Sequence, residues 1–169
     1  NEVTRSLCRL CHSIPLFMGG KDENDIGKIE NLKEYAEKLI DLEPDSALYL
    51  LATIIDCFQV KSLPIGKELI DKLIDLPLTE NYKNFFISLS KCEADFSITE
   101  KCNKDLPSSL CNKLVKELEG DYNSIALNII SELPSHFIIN HEILLQAIWP
   151  LIENSPEETR ATVPKALFN

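Results

Sequence analysis

The chain contains Lys38-Leu39-Ile40-Asp41-Leu42 and, 34 residues later, the same five residues as Lys72-Leu73-Ile74-Asp75-Leu76. A weaker copy, Lys113-Leu114-Val115, follows 41 residues after the second. Each copy lies near the end of an apolar pattern of helical period, shortly before Pro44, Pro77 or Gly120. Periods of this size belong to helix–turn–helix units, which stack because one hairpin cannot bury its apolar face alone. The spacing therefore predicts an all-α chain of stacked antiparallel helix hairpins.

Working outward, helices are predicted over 3–14, 28–42, 45–58, 64–76, 80–94, 107–120, 121–133 and 141–152. A ninth is predicted from Ser155, where Ser-Pro-Glu-Glu combines a cap, a first-turn proline and first-turn acids, and Pro164 interrupts it. The expectation is about nine helices in one domain over 1–169. The third helix is apolar on most sides, which implies burial between neighbours. Asp45 and Thr79 are the expected caps of the third and fifth helices. The stretches 15–27 and 95–106 read as a loop and a linker.

A hydrophobic fraction of 44% with only 5 glycines over 169 residues is enough for a core. The longest apolar runs are far short of a membrane span. The formal charge of −10 repels a phosphate backbone, so neither nucleic acid nor membrane is the expected partner. The acids bunch where one helix ends and the next begins, as capping carboxylates do. The chain begins at Asn1 rather than Met and reads as a piece of a larger protein. The six cysteines (Cys8, Cys11, Cys57, Cys92, Cys102, Cys111) allow disulfides, but a chain of this size does not need them. Cys57 sits in an apolar helix as a buried free thiol would. An intracellular setting, cytoplasmic or nuclear, is the expectation.

Cys8-Arg9-Leu10-Cys11-His12 has the spacing of a c-type haem attachment string, or of half a zinc site. Haem needs an axial ligand, and the only methionine, Met18, is too near in sequence to cross the haem plane easily. Zinc needs a second ligand pair, and no other Cys-x-x-Cys exists. Placing both cysteines on the apolar face of the first helix satisfies them without metal, so no cofactor or metal is expected. His136 and His141 are too far apart for one helical face, and Ser108, Ser109 and Ser131 read as cap and turn residues. Gly19-Gly20 lacks the ending of a phosphate loop. No catalytic set is evident, and the chain is not expected to be an enzyme.

The stretch Tyr35-Ala36-Glu37-Lys38-Leu39-Ile40-Asp41-Leu42-Glu43-Pro44-Asp45-Ser46-Ala47 resembles the second helix of a tetratricopeptide repeat, its closing proline and the entry to the next repeat. The positions where that family places small residues carry Ile54, Gly66 and Leu73, which suits the wider helix spacing of HEAT-like repeats as well. Either resemblance implies a scaffold that presents grooves to peptides or subunits and performs no catalysis. A second likeness, Gly120-Asp121-Tyr122-Asn123, is similar to a stretch of the plant invertase and pectin-methylesterase inhibitors. It implies the alternative of a secreted, disulfide-bonded helical inhibitor or ligand-binding protein. That family has no counterpart to the repeat, and its first two cysteines are well separated.

The expected function is thus protein–protein interaction or scaffolding, with a partner whose surface is neutral or basic. The candidate contact residues are Phe17 and Met18 in an apolar loop segment, Trp149 beside Pro150, and Phe168 near the end of the chain. Trp149 is the only tryptophan and reads either as core or as an interface anchor.

Overall fold

The structure is a computed structural model, and it describes residues 2–13, 23–58, 67–91, 106–120, 123–134 and 141–154. These hold eight helices and no strand: α1 (Glu2–Ser13), α2 (Glu23–Ile40), α3 (Pro44–Phe58), α4 (Lys67–Ile74), α5 (Glu80–Lys91), α6 (Leu106–Leu118), α7 (Asn123–Glu132) and α8 (His141–Asn154). The all-α expectation holds. The ninth helix, from Ser155, lies outside the described residues.

Helix starts show where local chemistry differs from the sequence expectation. α2 begins at Glu23 instead of 28, so Gly27 lies inside the helix in spite of its propensity cost of roughly 1 kcal/mol. α3 begins at Pro44, whose fixed φ and missing N–H suit a first turn. Asp45 is therefore not its cap. Glu43 fills that role: its carbonyl accepts the Ala47 N–H at 3.0 Å and its carboxylate accepts the Ser46 hydroxyl at 3.0 Å. Thr79 does cap α5, accepting the Tyr82 N–H at 3.1 Å. α8 runs through Pro150 rather than stopping there.

The two identical pentapeptides end their helices in the same way. α2 ends at Ile40 and α4 at Ile74, each closed by the same turn, Leu42 N–H to the Leu39 carbonyl (3.0 Å) and Leu76 N–H to the Leu73 carbonyl (3.3 Å). Leu39, Ile40, Leu73 and Ile74 are all buried, while both lysines and both aspartates face solvent. Lys72 of the second copy meets Asp41 of the first at 3.6 Å. That exposed pair contributes little, but it marks the ends of α2 and α4 as neighbours. The third copy differs. Leu114 is buried, yet α6 continues one turn beyond it to Leu118.

The helices pack in two rows. α1 lies on α3, α3 on α5 and α5 on α7, while α4 lies on α6 and α6 on α8. α2 pairs with α3, and α6 with α7, as hairpins across the rows. α3 is the best-covered element, with Ala47, Leu48, Leu50, Leu51, Ala52, Thr53, Ile54 and Ile55 all buried. α3 and α5 start side by side: both carboxylate oxygens of Asp45 accept hydrogen bonds from the opening of α5, one from the Thr79 hydroxyl at 2.5 Å and one from the Asn81 amide at 2.6 Å. The same register is not kept at the next step, where Lys83 in the first turn of α5 pairs with Glu132 in the last turn of α7 at 3.5 Å. An aromatic cluster on α5 fills the centre, with Phe86 4.6 Å from Tyr82 and 5.0 Å from Phe85, centroid to centroid. The Tyr82 hydroxyl donates to the Ile74 carbonyl at 3.1 Å and so satisfies an end group of α4.

Because Leu39 and Leu73 hold equivalent buried positions, Leu39→Ala and Leu73→Ala are each expected to destabilise by about 2–5 kcal/mol. Denaturant unfolding measures both. A near-neutral effect at one site beside a severe one at the other would show that the two positions are not equivalent.

Candidate functional site

A cleft of about 530 Å³ opens where α1, packed along α3, faces the starts of α3 and α5. Thr4, Arg5, Cys8 and Arg9 line it from α1, Asp45, Ser46 and Tyr49 from α3, and Asn81 from α5. The local folding of α1 explains the arrangement. Positions 4, 8 and 11 face inward and are buried, so Arg5 and Arg9, four apart, stand together on an exposed edge. Tyr49 keeps 41% of its surface exposed. Neither arginine forms an ion pair among the described residues. Thr4 is 2% exposed, and its Oγ1 is buried without a hydrogen-bond partner. Such an atom is rare and costly, by about 1–3 kcal/mol.

The arginines are the part the sequence reading missed, although a signal existed. The chain has three arginines, Arg5, Arg9 and Arg160, against fourteen lysines, and two of the three fall four residues apart on one helix. Arg9 lies inside Cys8-Arg9-Leu10-Cys11-His12, where the thiol spacing is the stronger sequence signal.

Of those thiols Cys8 lines the cleft, and Cys11 on α1 and Cys57 on α3 are its neighbours. Cys8 and Cys11 are buried as free thiols, and Cys57 is half-buried. Burial pushes the Cys11 thiol up to about 12, and the neighbouring Cys57 and Cys8 add to the rise. Burial also raises Cys8, opposed by its hydrogen bond with the Thr53 side chain, and raises Cys57, with Asp56 and Cys8 adding to it. A nucleophilic or metal-binding cysteine needs the thiolate, and these sites disfavour it. Among the described residues no group of three or more His, Cys, Asp or Glu side chains has the geometry to hold a metal ion.

Trp149 lies on α8 and is 59% exposed, with Nε1 donating to Glu153 Oε1 at 3.1 Å. It is not a core residue. Ile143 and Leu145 of the same helix are 40% and 45% exposed. Phe17, Met18 and Phe168 fall outside the described residues, as do His136 and Gly19-Gly20. Ser131 is not a turn residue: it is buried within α7 and its hydroxyl donates to the Asn128 carbonyl at 2.8 Å. No helix of the described residues is long and apolar enough to cross a membrane. Comparison with protein-family models, curated proteins and solved structures finds no match to this chain.

The raised thiols give a signed pH dependence. Up to about pH 9, Cys11 is protonated folded and unfolded, so it leaves stability unchanged. Between about 9 and 12 the unfolded thiol ionises while the folded one keeps its proton, so stability falls as pH rises. One such thiol gives a slope approaching about 1.4 kcal/mol per pH unit. Thermal melts across this range are expected to show a falling Tm, and Cys11→Ala to make the fall shallower. A Tm unchanged to the top of the window would contradict the buried, protonated thiol.

Proposed function

We propose that this chain is a non-enzymatic protein-interaction and scaffold module of a larger intracellular protein or complex, built on the plan of tetratricopeptide- or HEAT-like repeats. The observation that carries the reading is the exposed face of α8. Leu145 and Trp149, one turn apart, present an exposed apolar pair beside exposed Glu142 and Glu153, and Ile143 is exposed on the opposite flank of the buried Leu144–Ile148 face. The indole N–H is already satisfied by Glu153, so the ring offers its apolar faces to a partner. Tryptophan in such a setting is a common energetic anchor of protein interfaces. The occupant that fits is another protein whose contact surface has an apolar centre and a neutral or basic rim, matched to the flanking glutamates and to the charge of −10.

The repeat reading draws support from the matching ends of α2 and α4 and from the row packing of alternate helices. The intracellular reading draws support from the thiols of Cys8 and Cys11, buried without a disulfide where a secreted disulfide-bonded inhibitor would be expected to pair its cysteines. The protonated state of the buried thiols argues against cysteine catalysis.

Affinity capture from extract with the wild-type chain and with Trp149→Ala, compared at matched protein level, tests the reading. The expected result is a protein bound by the wild type and lost by the variant at least about tenfold, with Tm unchanged because Trp149 is exposed. Rising salt is expected to slow association. Equal retention by both chains, or capture of nucleic acid alone, would contradict the proposal.

A further inference from the structure

We propose that the cleft between α1, α3 and α5 is a second binding site, which takes a side-chain carboxylate carried on a peptide segment. Arg5 and Arg9 are the groups that would hold the anion. They are two of the three arginines in a chain whose other cations are lysines. A guanidinium presents a planar fork of donors that matches a carboxylate, which lysine does not. Both forks stand on one edge of α1 beside the cleft, and no carboxylate of the described residues occupies them.

The charge of the cleft selects the kind of anion. Two guanidinium groups face one carboxylate, Asp45, which leaves a single positive charge to balance. Asp45 cannot swing away to neutralise an arginine, because Thr79 and Asn81 hold both of its oxygens. A monoanionic carboxylate matches that balance, whereas a phosphate dianion is left with excess charge beside Asp45. Tyr49, half exposed on the same wall, supplies an apolar ring and a hydroxyl for the flanking chain. The volume of about 530 Å³ is that of an ordinary ligand cleft and far exceeds one carboxylate.

The orphan hydroxyl of Thr4 is the independent sign that the cleft is incomplete. Threonine in a helix has two accessible χ1 positions. A change of χ1 moves Oγ1 off this partnerless position, and Thr4 is among the residues that line the cleft. A bound peptide's polar atom would then complete a hydrogen bond that the free protein lacks. A site of this kind sacrifices stability for binding.

The test uses an N-acetylated, C-amidated hexapeptide of alanine and serine with one central glutamate, titrated into the full chain and followed by amide NMR shifts. Shifts are expected on α1 around Arg5 and Arg9 and on the first turns of α3 and α5. The peptide with glutamine in place of glutamate is expected to bind at least about tenfold more weakly. Arg5→Lys with Arg9→Lys, which keeps the charge and removes the forks, is expected to weaken binding severalfold, and Arg5→Gln with Arg9→Gln to abolish it. Thr4→Val is expected to raise Tm while weakening the peptide, a combination that a purely structural threonine would not give. Equal binding of the glutamine peptide, inorganic phosphate bound as tightly as the glutamate peptide, or shifts confined to other helices would each overturn the proposal. The proposal shares with the interaction-module reading only that the ligand is a peptide. Trp149→Ala is expected to leave hexapeptide binding unchanged, so failure at α8 and failure at the cleft are separable.

Discussion

Burial of α3 is the constraint on which the rest of the structure depends. Eight of its residues between Ala47 and Ile55 are buried, and it touches α1, α2 and α5. A helix of that kind cannot be stable at a surface, so its three neighbours are held in place by what it must cover. Ala47 and Ala52 allow close approach, while Leu48, Leu51, Ile54 and Ile55 supply the area. α5 answers with Tyr82, Phe85 and Phe86, each with no exposed surface. Placing α1 on one side of α3 and α5 on the other creates the first row of helices, and the cleft is the gap left at its starting edge.

The register of that row is set by a polar contact rather than by packing alone. Asp45 takes a hydroxyl and an amide from the opening of α5, and Thr79 serves α5 as cap with the same oxygen it uses toward Asp45. Pro44 makes this possible. By starting α3 one residue earlier, it moves Asp45 off the capping position and frees its carboxylate for the neighbouring helix. The contact then fixes Asp45 beside the two arginines of α1, and a solution to a packing problem becomes the electrostatic floor of a site. The α5–α7 step lacks this contact and shows a different register.

Much of the architecture was legible. The two pentapeptides mark equivalent helix ends because their Leu-Ile pairs are buried and their Lys and Asp residues are not. The breadth of apolar residues on α3 announced its burial. What stayed hidden was decided by competition between local terms. The start of α2 was obscured by Gly27, which reads as a helix breaker and yet lies inside the helix. The third copy kept its buried leucine but not its distance from the helix end. The site was the least legible part. Trp149 has two readings by residue type, and only its place on the outer side of α8 excludes the core one. Arg5 and Arg9 required knowing that α1 packs along α3 and shares a cleft with the starts of α3 and α5. An unsatisfied Thr4 hydroxyl has no sequence signature, since threonine is ordinary near a helix start.

Native-state hydrogen exchange tests the keystone role of α3 most directly. The amides of residues 48–55 are expected to exchange only through global unfolding, with α5 close behind and α8 opening at lower free energy. Exchange of α3 through a partial opening, while α6 and α7 remain protected, would contradict the claim that the fold is built on it.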